Sequence, residues 1–123
     1  NNGTITSRFG DREDPFFGNS EYHQGLDIAV PIGTNIKSVF DGVIKSTGNS
    51  ESYGYYIIIK HSDNFETLYA HCSVICGRIG EKVSQGTVIA KSGNSGRSTG
   101  PHLHFETKIN GKRVNPLEYL TEI

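Results

Sequence analysis

A chain of 123 residues with 12 Lys and Arg against 13 Asp and Glu has the size of one domain able to bury a single core and leaves no room for a second. Its formal charge of −1 excludes the global basic field usual in nucleic-acid binders, and no run approaches the ~20 apolar residues that cross a bilayer. Neither nucleic acid nor membrane is therefore an expected partner of this segment. It opens at Asn1 with neither a Met nor a signal-peptide pattern and is read as a processed or excised piece of a longer chain, residues 1–123 forming one domain.

Fifteen glycines and four prolines, with no Met and no Trp, describe a turn-rich fold, and the apolar pattern taken in chain order predicts strands. A long polar loop, "GDREDPFFGNSEY" from Gly10 to Tyr22, leads into "HQGLDIAVPIGT" from His23 to Thr34. Short β-branched and aromatic runs follow: "NIKSVFDGVIKS", "YGYYIIIKHS", "ETLYAHCS", "KVSQGTVIAKSG" and "HLHFETKINGKRVNP". Gly, Asn, Asp and Ser punctuate them, the signature of strands and turns. Soft loops are expected at Thr47–Gly54 and Ser92–Gly100, and long loops in a compact β domain often form binding walls. Asn110-Gly111 predicts a two-residue hairpin, since both turn positions need positive φ. The one helix candidate is the short "LEYL" after Pro116. The expected fold is all-β: a single antiparallel, sandwich-like sheet whose long loops form a groove, with minimal helix near the C-terminus.

The chemistry concentrates in histidines: His23, His61, His71, His102 and His104. In "TGPHLHFE", from Thr99 to Glu106, strand alternation sends His102, His104 and Glu106 to one face and Leu103 and Phe105 to the other. One face is then core and the other is chemistry or solvent, with two incidental histidines on a polar face as the alternative. His23 and Asp27 stand four apart around Gly25, where a loop enters an apolar strand and both side chains can fold toward one point. Zinc accepts imidazole nitrogen and carboxylate oxygen at ~2.0–2.2 Å, and a catalytic site uses three protein ligands. His23, Asp27 and one histidine of the pair would complete such a set. The other, with His71, would supply acid/base or oxyanion-stabilising groups. Spacing alone leaves open which member of the pair ligates.

"HQGLDIAVPIGT", "YGYYIIIKH", "LYAHCS" and "SGNSGRSTGPHLHFE", followed by "VNPLEYL", together resemble the lysostaphin-type (LytM-like) zinc metallopeptidases that cleave peptide bridges in bacterial peptidoglycan. The resemblance runs from about Phe9 to Leu120 in the family's order. It implies that His23, Asp27 and His104 ligate Zn²⁺, that His71 and His102 are the catalytic pair, and that His61 is structural. It further implies a peptidoglycan endopeptidase acting outside the cell at the wall. Some members have lost catalysis and serve as binding ectodomains in division or sporulation; such members usually lack a ligand or acid/base residue, and here all five positions are filled.

Departures are local. The family more often has an aromatic near Asp11 and a histidine near Asp14, and Arg12 in this loop pairs either with a neighbouring acid or with a substrate carboxylate. Cys72 stands where the family usually has Leu. Alternation turns it away from His71 and into the core, and Cys72 and Cys76 are expected as free thiols. A glycine-rich wall at Gly93–Gly100 suits an extended peptide with small side chains, because backbone can approach backbone there.

Overall fold

The computed structural model describes the backbone of residues 4–7, 10–13 and 20–23 and the full residues 25–96 and 100–114. The strands in chain order are β1 (Thr4–Ser7), β2 (Gly10–Glu13), β3 (Ser20–His23), β4 (Leu26–Ala29), β5 (Asn35–Lys37), β6 (Gly42–Ser50), β7 (Gly54–Ser62), β8 (Phe65–Ile75), β9 (Lys82–Val83), β10 (Val88–Ser92), β11 (His102–Ile109) and β12 (Lys112–Val114). The described residues contain no helix. The expected turn of helix after Pro116 lies outside them.

One sheet runs β1-β4-β11-β8-β7-β6-β9, with β10 joined to β8 and β5 and β12 joined to β11. The pairings are antiparallel, so the all-β antiparallel expectation holds. β2 and β3 form a separate two-stranded ribbon within the predicted Gly10–Tyr22 loop, whose residues 14–19 lie outside the description.

The core follows from alternation. Leu26 and Ile28 of β4, Leu103 and Phe105 of β11, Tyr69 of β8, Ile57 and Ile59 of β7 and Ile44 of β6 belong to one buried cluster, which Ile36 of β5 and Ile89 of β10 join. Each such aliphatic side chain contributes about 1.5–3 kcal/mol when taken out of water. The opposite face of β4, β11 and β8 is thereby left for polar groups.

Two predicted runs split. "NIKSVFDGVIKS" becomes β5 and β6, because the chain turns at Ser38, whose amide donates to Thr87 O and whose Oγ donates to Phe40 O at 2.7 Å. "KVSQGTVIAKSG" likewise becomes β9 and β10. The predicted loop at Thr47–Gly54 shrinks to three residues, since Thr47 through Ser50 pair with Ile57 through Gly54 across β6 and β7. The Asn110-Gly111 hairpin is present, with φ of 52° and 77° at the two turn residues, and it fixes the β11–β12 register as Ile109↔Lys112 and Lys108↔Arg113.

Candidate active site

Three strands lying side by side carry the site. Asp27 sits on β4 between the buried Leu26 and Ile28, so alternation turns its carboxylate to the polar face. In the β4–β11 register His104 lies directly opposite Asp27 and His102 opposite Ala29. Cross-strand partners are the closest side-chain neighbours a sheet offers. His104 Nδ1 stands 2.7 Å from Asp27 Oδ1, and His102 Nε2 stands 3.7 Å from the same oxygen.

His71 reaches this face through an irregularity in β8. Tyr55 pairs with Cys72 and Ile57 with Tyr69, so two steps on β7 face three on β8, which is the count of a β-bulge. His71 has φ of 62°, a left-handed conformation that histidine adopts more readily than most residues but still uncommon. The bulge lets Tyr69 and Cys72, three apart, both join the core, while His71 turns to the other side. Its ring lies 4.8 Å from that of His102 and 5.9 Å from that of His104, centroid to centroid. Its amide donates to Tyr53 O at 2.8 Å.

Carbonyl oxygens assign the tautomers. His71 Nδ1 lies 2.6 Å from Ser95 O and His102 Nδ1 lies 2.8 Å from Gly100 O. A carbonyl only accepts, so each Nδ1 carries hydrogen, and the neutral ring has its lone pair on Nε2. Ser95 is held in turn by Oγ donating to Cys72 O at 2.6 Å and accepting from Tyr55 N at 3.0 Å. Gly54 and Gly96 make this approach possible: both have positive φ, and a Cβ on either would strike the other segment's backbone. Part of the predicted glycine-rich wall thus serves to bring Ser95 against the sheet. Residues 97–99 of that wall lie outside the description.

Charges around His104 are arranged against burial. Burial pulls its imidazole down, but its hydrogen bonds to Asp27 and Glu106 and their negative charges outweigh this and hold it up at about 9. Burial likewise pushes the Glu106 carboxyl up, and hydrogen bonds from His104, Arg113 and Tyr53 reverse the sign and bring it to about 2. Burial is also the main cause that moves His71, downward; the nearby His102 and His104 charges act the same way, against the Ser95 hydrogen bond and Asp27.

Of the residues expected from sequence, the structure brings together Asp27, His71, His102 and His104. Only the backbone of His23 is described; it lies at the end of β3, opposite Gly10. Among the described residues no three His, Cys, Asp or Glu side chains stand so that they could hold one ion, and the described Asp27–His104 pair has the right donors: an anionic oxygen and an imidazole nitrogen in direct cross-strand register suit zinc. A metal entering at His104 Nδ1 displaces the proton there. His61 stands apart, with Nδ1 2.8 Å from Asp41 O and Nε2 2.8 Å from Thr67 Oγ1, as expected of a structural residue. Cys72 and Cys76 are free thiols, Cys72 fully buried with burial pushing it to about 12. Neither Tyr53 nor Arg113 is among the residues singled out from sequence, and both meet Glu106 behind His104.

Gly25 admits a direct test. A Cβ there would lie 2.7 Å from His104 Cε1 and 2.7 Å from Phe105 O, and the backbone oxygen cannot yield as a flexible side chain would. Gly25→Ala is expected to cost about 1–3 kcal/mol of stability through overpacking and, by displacing the His104 ring, to lower bound zinc. Thermal melting with elemental analysis checks this, and wild-type values of both would count against the placement of His104.

A sheet with one apolar face in the core, whose polar face gathers His71, His102 and His104 beside Asp27, defines the chain as an antiparallel β-sheet protein with a histidine-rich polar face. The chain belongs to peptidase family M23, whose sequence profile matches residues 21–116. It is 45% identical over 113 residues to the DD-carboxypeptidase/endopeptidase Mpg of Neisseria meningitidis, covering 92% of this chain and 26% of Mpg. It is also 45% identical over 96 residues to the peptidoglycan DD-endopeptidase ShyA of Vibrio cholerae, covering 78% of this chain and 22% of ShyA. A crystal structure of a zinc containing peptidase from Vibrio cholerae superposes with a TM-score of 0.86 at 36% identity, covering 92% of this chain and 36% of that one. The chain spans about a quarter of the length of the curated relatives it matches.

Proposed function

We propose that this chain is the catalytic domain, residues 1–123, of a zinc-dependent endopeptidase that hydrolyses peptide cross-links or bridges of peptidoglycan outside the cytoplasm, in the periplasm or at the cell wall. The observation that carries the reading is the convergence of His71 and His102, each with a carbonyl-bound Nδ1 that leaves the lone pair of the neutral ring on Nε2, beside the Asp27–His104 pair. Family membership and the printed activities of Mpg and ShyA support the substrate class. His23, Asp27 and His104 would hold the ion. Zinc, when bound, supplies Lewis acidity that polarises the scissile carbonyl and acidifies water.

The chain's own residues do the rest. A neutral imidazole at His71 or His102 takes a proton at Nε2 from the attacking water and afterwards gives it to the leaving amine. The second imidazole, its lone pair likewise on Nε2, accepts a hydrogen bond from the attacking water and orients it. With ring centroids 4.8 Å apart, both can meet one water molecule.

The test is incubation of zinc-loaded protein with purified peptidoglycan of several bridge types and identification of new amino termini by mass spectrometry. Soluble muropeptides are expected, abolished by chelation and restored by stoichiometric zinc. Absence of fragments from every bridge type, with zinc confirmed bound, would overturn the enzyme reading in favour of a binding ectodomain.

A further inference from the structure

We infer that Glu106 is a positioning residue for the metal site, which with Arg113 and Tyr53 keeps a hydrogen on His104 Nε2 and so leaves Nδ1, the atom facing Asp27, as the one a metal takes. The inference rests on the proposed reading of His104 as a metal ligand. Glu106 lies two residues beyond His104 on β11, hence on the same face, and is only 3% exposed. A carboxylate so buried needs partners to offset the loss of water.

Three converge on it. Arg113 Nε donates to Oε1 at 2.7 Å, while Tyr53 Oη at 2.8 Å and His104 Nε2 at 2.9 Å donate to Oε2. Arg113 Nη2 also donates to Tyr53 Oη at 3.3 Å, so the hydroxyl accepts from Arg113 and sends its own hydrogen to Glu106. An ionised carboxylate has no hydrogen to give, so the hydrogen in the Glu106–His104 bond belongs to Nε2. Once a cation takes the place of the hydrogen on Nδ1, the ring remains anchored at its far side.

Arg113 supplies the charge balance. With the guanidinium on its other oxygen, the charge of the buried Glu106 is compensated and the carboxylate is held in place beside Nε2. The Tyr53 ring stacks on His104 at a centroid distance of 5.9 Å and an interplanar angle of 27°, limiting rotation of the imidazole. These groups come from β11, from β12 and from the turn before β7, so the ring is braced from three directions.

The test uses zinc affinity, measured by competition with a chromophoric chelator, and ¹⁵N NMR of the His104 ring in the zinc-loaded protein. Glu106→Gln keeps the shape but offers an amide that cannot satisfy Arg113 and accept from Nε2 at once. It is expected to weaken zinc binding by about 10–100-fold, the usual effect of removing such an outer partner. Wild type should show hydrogen on Nε2 and zinc on Nδ1. Should Glu106→Gln not fold, Arg113→Gln removes the donor to Oε1 that fixes the carboxylate beside Nε2 and is expected to weaken zinc in the same direction. Unchanged zinc affinity in the folded variants, or hydrogen on Nδ1 in the wild type, overturns the inference. Full zinc retention by His104→Ala overturns instead the ligand reading beneath it, so the two failures are distinguishable.

Discussion

His104→Ala is expected to bind no stoichiometric zinc and to release no muropeptides. The substitution removes the imidazole that faces Asp27 Oδ1 at 2.7 Å, one of the donors of a site that needs three. It also withdraws the Nε2 hydrogen from the buried Glu106. The loss reaches stability, because zinc held by the folded state alone adds RT ln(1 + [Zn]/Kd), about 2.7 kcal/mol at a free concentration of 100 Kd. Chelation should therefore lower the melting temperature of the wild type and leave that of His104→Ala unmoved. Elemental analysis and paired melting curves with and without chelator decide it. Undiminished zinc in the variant, or an equal chelator effect on both proteins, would place the metal elsewhere.

Alternation made much of the site legible. "HLHFE" alone puts Leu103 and Phe105 in the core, where they are 3% and 2% exposed, and so puts His102, His104 and Glu106 together on the other face. Asn110-Gly111 announced its hairpin because few residues other than these accept two consecutive positive φ values. From that turn the register follows, with Arg113 opposite Lys108 and thus diagonal to Glu106, a neighbour relation long side chains can bridge. The Glu106–Arg113 contact was in that sense available from sequence.

What alternation could not supply is the interruption of alternation. Along a regular β8, Tyr69 and His71 would share a face; the extra residue opposite Tyr55 and Ile57 separates them, and no residue type in "LYAHCS" marks it. Tyr53 was hidden for the same reason, since it meets Glu106 from a turn 53 positions away. "TGNSESYG" misled through composition: its polar residues suggest a loop, yet β7 offers backbone partners as far as Ser50, and pairing outweighed propensity.

Removing a proton-transfer group should separate binding from chemistry. His71 and His102 ring centroids lie 4.8 Å apart, and neither belongs to the proposed ligand set, so His71→Ala and His102→Ala are each expected to keep one zinc per chain and to lose cleavage by about 10² or more, the lower end of what a positioned acid or base contributes. His71→Asn is the better control for backbone effects, because Asn also tolerates the left-handed conformation that φ of 62° imposes. The pH profile carries a sign. Burial first, then the neighbouring His102 and His104 charges, lower the His71 imidazole from its ordinary 6.5, so at pH 7 its Nε2 holds a lone pair and can act as a base. Activity should therefore be sustained down to pH 6.5 and fall below it, as a proton occupies Nε2 and the base is lost. The rate of cleavage of a short peptide with a D-alanine or glycine bond, followed from pH 5 to 8 with zinc content checked at each point, measures this. A variant that turns over at the wild-type rate, one that sheds its metal, or an acid limb lying above pH 6.5 with zinc retained would each show that His71 and His102 do not act as assigned.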